Sequence, residues 1–333
     1  MAFAANVGDG VDGPGALRPR VFIATSTFGK AGSEPLNRLK ERGVAFTTNP
    51  LGRTLTADEA ARFLADVDGV IAGTEPLTRS VLAQARRLRV ISRCGTGLDN
   101  VDLEAAAEFG ITVAATTRAH VAAVAELTLG AMIALLRRIP QNHLAVKSGR
   151  WEKHLGKLLH GRTVGIIGLG KVGKAVVRAL GPFNTGLLAY DPYPDTEFAR
   201  AHGVEFVTLD ELLQRAEIVS LHLPYSPELR HLLGRERLAR MREGAYLVNT
   251  SRGGLVDEDA LCDFLQQGRI AGAFIDTFER EPYSGRLAGL DNAILSPHVG
   301  AYAEEARLAM ELEAVENLLQ NLETTVPSGV IQR

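Results

Sequence analysis

The segment Thr163–Gly173, TVGIIGLGKVG, constrains the fold of this chain more than any other. Val164–Ile167 is an apolar run with the character of a buried strand, and Lys174–Leu180 reads as the opening turns of a helix. Between them lies Gly168-Leu169-Gly170-Lys171-Val172-Gly173, a Gly-x-Gly-x-x-Gly turn in the strand-to-helix context that gives such a triplet meaning. The first glycine permits the tight turn, the second lets backbone approach a pyrophosphate, and the third lets helix pack closely on strand. Phosphates then sit at a helix N-terminus, whose free N–H groups favour anions. A second strand, Gly186–Tyr190, ends at Asp191, whose carboxylate can accept hydrogen bonds from both ribose hydroxyls and would repel a 2′-phosphate. Pro192-Tyr193-Pro194 follow, with no arginine among them, so NAD(H) is favoured over NADP(H).

Strand-like and helix-like segments alternate from Pro19 to Pro297, the pattern of parallel α/β sheets. Val21–Thr25, Val44–Thr47, Gly69–Ala72, Val90–Arg93 and Ile111–Ala114 read as strands of a first doubly wound unit. A long helix over Val121–Arg138 is expected to stop before Pro140, where a polar bridge leads through Gly149-Arg150-Trp151. The dinucleotide unit follows, and a closing helix, Ala303–Glu323, returns the chain. The expected fold is therefore two doubly wound parallel-sheet domains, a Rossmann cofactor domain inserted into a flavodoxin-like substrate domain. Residues 1–19 read as a flexible leader, 20–114 with 303–333 as the substrate domain, and 115–302 as the cofactor domain. Ligands of open α/β sheets bind outside the carboxyl ends of the strands, which directs attention to a cleft between the two.

Composition removes several function classes. A net charge of −2 gives no electrostatic reason to expect nucleic acid or an anionic membrane as partner. The longest apolar stretch, Val121–Leu136, is broken by Glu126 and is too short to span a bilayer. The two cysteines, Cys94 and Cys262, form no CxxC pair, which argues against a disulfide framework or a zinc site and fits a reducing cytoplasm. No metal site is expected.

Three residues that could carry chemistry lie at or just past predicted strand ends. Arg252 follows Tyr246–Ser251, Glu281 follows Asp276–Arg280, and His298 sits in Ser296-Pro297-His298-Val299-Gly300. A histidine can give or take a proton near neutral pH, and a neighbouring carboxylate stabilises its charged form. An arginine beside them can polarise a carbonyl and grip a carboxylate with two hydrogen bonds. Together those roles suit reduction of a 2-oxo acid by hydride transfer. Taken singly, each has an ordinary reading as a solvated charge, a turn or a satisfied polar group.

Arg93–Asp102 (RCGTGLDNVD), Gly165–Gly173, His222-Leu223-Pro224, Val248–Asp257 (VNTSRGGLVD), Asp276–Pro282 and Ser296–Gly300 together resemble the D-isomer-specific 2-hydroxyacid dehydrogenases. The match in order and spacing runs over about residues 20–325. Within that family the likeness is to the phosphoglycerate-dehydrogenase-like branch, through Gly73–Leu77 and Val90–Arg93, with no regulatory domain expected after Glu323. The resemblance implies Arg252 as the substrate anchor, His298 as general acid/base and Glu281 as its partner. It implies cofactor contacts from Gly168, Gly170, Lys171, Val172, Gly173, Asp191, His222, Pro224, Thr250, Asp276 and Gly300, and a substrate carboxylate held by backbone around Cys94, Gly95, Thr96 and Gly97. It also implies a homodimer formed through the cofactor domain and the helix Val121–Arg138, for which simple core packing is an equal reading.

One departure from the family pattern bears on the substrate. After Ile111–Ala114, relatives usually carry Asn-Thr-Pro-Gly-Ala-Asn, whereas this chain has Ala115-Thr116-Thr117-Arg118-Ala119-His120. Arg118, with His120, would suit a second anionic group on the substrate, such as the phosphorus group of 3-phosphohydroxypyruvate or phosphonopyruvate, because arginine's fork matches oxyanions. The alternative is an arginine paired with a local acid or turned to water. Leu229 replaces a threonine usual before Arg230, and Cys94, beside the carboxylate loop, reads better as a small buried apolar side chain. Two other functions share the architecture: phosphite oxidation, and an NAD-responsive corepressor that binds partner proteins.

Overall fold

The computed structural model describes residues 18–323; the leader expected over residues 1–19 lies almost wholly outside them, as does the chain after 323. Two compact units emerge, one built from the residues up to His120 and from Glu304 onward, the other from Val121–Ala303. The first contains strands β1 (Arg20–Ile23), β2 (Ala45–Thr48), β3 (Gly69–Ala72), β4 (Val90–Arg93) and β5 (Thr112–Ala115). They pair in parallel in the order β2-β1-β3-β4-β5, the flavodoxin-like order, which reverses direction between β1 and β3. β3 is buried along its whole length, as a parallel strand covered on both faces requires. Phe22, Leu64, Val70, Leu82 and Ile91 form the core on one side, and the helix Glu304–Glu323 lies across β3, β4 and β5.

The second unit holds β6 (Thr163–Ile167), β7 (Gly186–Tyr190), β8 (Val204–Phe206), β9 (Ile218–Leu221), β10 (Ala245–Asn249), β11 (Ile270–Ile275) and β12 (Ala293–Leu295). Their order, β12-β11-β10-β9-β6-β7-β8, is all parallel and is that of a Rossmann sheet extended by one strand. Two apolar clusters cover it, one around Leu212, Leu247 and Leu261, the other around Met132, Ile166 and Val176.

Local chemistry sets the element ends. Thr56 and Glu59 form a reciprocal capping box at the helix Ala57–Leu64, and Asp102, Asp195, Thr208 and Asp257 cap four further helices through their side chains. The long helix ends at Leu136, before Pro140 as expected, and the bridge through Gly149-Arg150-Trp151 is non-helical, but a second helix, Ile139–Lys147, lies between them. Proline lacks only an N–H that the first turn of a helix does not use, so Pro140 starts this helix rather than stopping the previous one. The turn between them places Arg138 in the left-handed region at φ 51°. Residues 115–120, assigned above to the cofactor domain, pack with the first unit: the Thr116 N–H reaches the Arg93 and Gly95 carbonyls, each at 3.2 Å, and the Thr117 N–H donates to Glu313 at 3.0 Å.

Candidate active site

The glycine turn follows β6. Gly168 adopts φ 99°, and a Cβ there would lie 2.8 Å from the His222 carbonyl carbon, so this position admits no side chain. A Cβ on Gly173 would lie 2.1 Å from the Gly168 carbonyl oxygen, which fixes the third glycine by helix–turn contact. Around Gly170 there is open space, and the helix Lys171–Leu180, which begins with Lys171 and Val172, receives no side-chain cap. Its first turn therefore presents backbone to an anion without competition from a capping oxygen.

Asp191 stands at the end of β7, and its two oxygens accept the Leu169 N–H at 2.6 Å and the Tyr193 N–H at 2.8 Å. His222, before the exposed Pro224, contacts the Ser220 hydroxyl at 2.9 Å. Burial pushes the His222 imidazole down to about 3, so the ring is neutral, and its Nδ1 is buried with no hydrogen-bond partner among the described residues. An open glycine cradle, an uncapped helix start and an orphaned ring nitrogen beside the turn fit a dinucleotide.

Arg252, Glu281 and His298 are brought together in the same unit. His298 Nδ1 lies 3.0 Å from Glu281 Oε2, and the two side chains are 44% and 39% exposed. Glu281 Oε1 accepts the Phe278 N–H at 3.1 Å. Burial works against the Glu281 carboxylate, but the hydrogen bond and charge of His298, the Phe278 N–H and the charge of Arg252 hold it below the usual carboxylate range. His298 itself occupies the left-handed region at φ 55°, a conformation that a non-glycine residue keeps only when its surroundings impose it. Those surroundings centre on Asp276, which is fully buried. Its carbonyl accepts the His298 N–H at 2.8 Å, and its carboxylate takes the Ser296 hydroxyl at 2.5 Å and the Val299 and Gly300 N–H groups at 2.8 Å each.

On the Arg252 side, the buried Asn249 accepts from Ser251 through its side-chain oxygen and donates to the Arg252 carbonyl at 3.0 Å. The buried Thr250 hydroxyl meets that of Thr128 at 2.9 Å. Asn249, Ser296 and Glu258 (below) were not singled out from the sequence. A polar residue at the buried end of an apolar strand was the available signal for Asn249.

The remaining substrate candidates belong to the other unit. The Cys94 N–H is taken by the Ala72 carbonyl at 2.9 Å and its side chain is buried, with burial pushing the thiol up to about 11 against the opposing charge of Arg307. Gly95 has φ 149°, and its N–H is turned back to the Arg93 carbonyl at 2.9 Å. The N–H groups of Thr96 and Gly97 make no hydrogen bond to the described residues, so the loop's available donors lie there rather than at Cys94. The Thr96 hydroxyl donates to the Thr116 carbonyl at 3.0 Å and meets the His120 ring at 3.0 Å, tying His120 to this loop. Arg118 is 83% exposed, 3.9 Å from Glu313. Among the described residues no cluster of three or more His, Cys, Asp or Glu side chains could hold a metal ion, and no helix is long and apolar enough to cross a membrane.

Residues 129–300 match the profile of the D-isomer specific 2-hydroxyacid dehydrogenase, NAD binding domain. A D-3-phosphoglycerate dehydrogenase of Methanocaldococcus jannaschii is 41% identical over 283 residues, covering 83% of this chain and 54% of its own length, so the chain spans about half of that relative. A hydroxypyruvate reductase of Thermotoga maritima is 37% identical over 276 residues, 80% of this chain and 89% of the relative. A solved structure from Thermus thermophilus superposes with a TM-score of 0.82 at 36% identity, covering 94% of this chain and all of that one (100%). The strand orders, the glycine turn and these likenesses agree: the chain belongs to the D-isomer specific 2-hydroxyacid dehydrogenase family, and the greater part of its second unit is that family's NAD-binding domain.

Proposed function

We propose that this protein is an NAD(H)-dependent D-2-hydroxyacid dehydrogenase that reduces a small 2-oxo acid bearing a second anionic group. The observation that carries the reading is the 3.0 Å contact between His298 and Glu281, with the charge of Arg252 acting on the same carboxylate. Bound NADH would supply the hydride. His298 gives its proton to the substrate's carbonyl oxygen as negative charge develops there, and Arg252 polarises the same oxygen. Glu281 keeps the imidazole oriented through their 3.0 Å contact. The uncapped helix start and Asp191 hold the cofactor, and the N–H groups of Thr96 and Gly97 receive the substrate carboxylate. Both cysteines are free and buried, which suits a reducing cytoplasm.

The second anionic group is assigned to Arg118, with His120 beside the carboxylate loop. An ion pair at 3.9 Å on a side chain this exposed restrains it little, so Arg118 can turn to a phosphate, phosphonate or distal carboxylate. The test is NADH oxidation by the purified protein against pyruvate, glyoxylate, hydroxypyruvate, 3-phosphohydroxypyruvate, phosphonopyruvate and a 2-oxo dicarboxylate. The doubly anionic acids are expected to give the highest kcat/KM. Arg118→Ala should raise KM for them by about 10- to 100-fold, the loss of one or two charge-assisted hydrogen bonds, and leave pyruvate within about threefold. Equal losses on both classes would remove Arg118 from the site. A panel without turnover would redirect the assignment to phosphite oxidation, then to NADH-dependent capture of a partner protein.

The reading includes a homodimer. Ile139, Leu144, Val146, Trp151, Leu155 and Leu158 are all strongly exposed, Trp151 at 84% and Leu155 at 93%, an apolar surface that a second copy would cover. Sedimentation at the monomer mass of 35.8 kDa would remove this part.

A further inference from the structure

We propose that Glu258 is a positioning residue for proton transfer: its carboxylate ties the helix Glu258–Gln266 to the loop that presents Glu281 to His298. Glu258 Oε1 accepts the Glu279 N–H at 2.7 Å, two residues before Glu281. The adjoining Phe278 N–H is the one that orients Glu281 Oε1, at 3.1 Å. Glu258 thus grips the loop at the peptide between the orienting donor and the acid itself.

Acidic residues at helix starts usually face their own helix's free N–H groups. Here Asp257 performs that task, accepting the Ala260 N–H at 2.9 Å, and Glu258 reaches across to another segment. The reach is made against opposition. Burial and then the charges of Glu279, Asp259 and Glu281 push the Glu258 carboxyl above its usual range, whereas a side chain serving only solubility would turn to water. The neighbouring contacts complete a clamp. On its outer side the loop is held by Arg230, whose guanidinium donates to Glu279 Oε1 at 3.0 and 2.6 Å, and by His231, 3.3 Å from Glu279 Oε2. On its inner side Phe278 and Glu279 press their backbone on Gly253, next to Arg252. The Arg252 and Glu281 loops are therefore held in one register, and Glu258 fixes the peptide two residues before the acid.

This inference rests on the reading that the His298–Glu281 pair moves the proton, so His298→Ala is measured in parallel. The experiment uses the full chain: kcat and KM for the fastest 2-oxo acid of the panel, NADH affinity by fluorescence and thermal melting. Glu258→Met keeps the length but has no comparable acceptor, and should lower kcat about tenfold, the value of one lost hydrogen bond, with KM and NADH affinity within about twofold. Glu258→Gln keeps an acceptor oxygen and should restore kcat to within about threefold of the parent. Parent-like kcat in Glu258→Met, or equal losses in the Met and Gln variants, would overturn the role. If the Met variant does not fold, Glu258→Asp decides: its shorter carboxylate cannot hold the 2.7 Å contact unaided and must lose more kcat than Gln, and the reverse order overturns the role. A fully active His298→Ala would instead defeat the underlying reading, whereas an inactive one beside a parent-like Glu258→Met would defeat the Glu258 role alone.

Discussion

Replacing His298 with alanine is expected to lower kcat for 2-oxo acid reduction by about 10²- to 10⁴-fold, the usual contribution of a positioned general acid, with NADH affinity unchanged. The glycine turn, Asp191 and His222 do not depend on the His298 side chain. Its loss therefore touches proton transfer and leaves the cofactor cradle intact. The pH dependence follows from the partner. Glu281 is held below the usual carboxylate range, so it stays ionised, and keeps accepting from His298, as pH falls through that range. Reduction is therefore expected to keep the Glu281–His298 contact, and its rate, as pH falls toward the usual carboxylate range. Glu281→Gln removes that charge from the pair and should lower kcat across the whole interval with NADH affinity unchanged. Steady-state kinetics from pH 5 to 9 with fluorescence titration of NADH would check both; a His298→Ala protein with undiminished kcat would refute the assignment.

Gly253→Ala should be nearly as damaging, for a reason unrelated to protons. The added Cβ would lie 1.8 Å from the Phe278 carbonyl carbon, 2.2 Å from the Glu279 nitrogen and 2.3 Å from the Phe278 oxygen. All three are main-chain atoms, so no rotamer change relieves the clash, and the Arg252 and Glu281 loops must separate. Overpacking of well-packed sites usually costs about 1–3 kcal/mol, and this one falls at the upper end or beyond. The expected result is a lower melting temperature and a kcat/KM reduced about 100-fold or more, because a displacement near 1 Å at the reacting groups costs that much. Gly181→Ala, where a Cβ meets nothing within 4 Å, is the control and should melt like the parent. A Gly253→Ala variant with parental melting and kinetics would mean that the two loops are not held in this register.

The features legible in the sequence were those written in local pattern. A buried apolar run, three spaced glycines and a terminal acid need one strand–turn–helix to make sense, and the parallel pairing of both sheets followed from strict alternation. What stayed hidden depends on contacts distant in sequence. Pro140 marks either the end of one helix or the start of the next, and only the packing of Ile139–Lys147 decides it. His298 stood out by residue type, but its left-handed backbone is imposed by Asp276, 22 positions earlier. Glu258 resembled an ordinary helix-start acid because its partner, the Glu279 N–H, is 21 residues away. The Cys94 side chain is buried, the reading its residue type favoured, but that its N–H is taken by Ala72 depends on a strand 22 residues earlier.

The division of the chain bears on how it comes to be folded during synthesis. The sheet β1–β5 is made first, but the helix that lies across it, Glu304–Glu323, is made after the whole of Val121–Ala303. The Ser92 hydroxyl on β4 waits for the Ala314 carbonyl, 222 residues later, and Leu318 packs against Gly69 on β3. The uninterrupted unit can condense as soon as it leaves the ribosome, and in doing so it brings the distant ends of the first unit closer, shortening the loop that must close. The nascent chain therefore carries an apolar sheet face uncovered while the whole of Val121–Ala303 is being made, and that face is where a chaperone would first be needed.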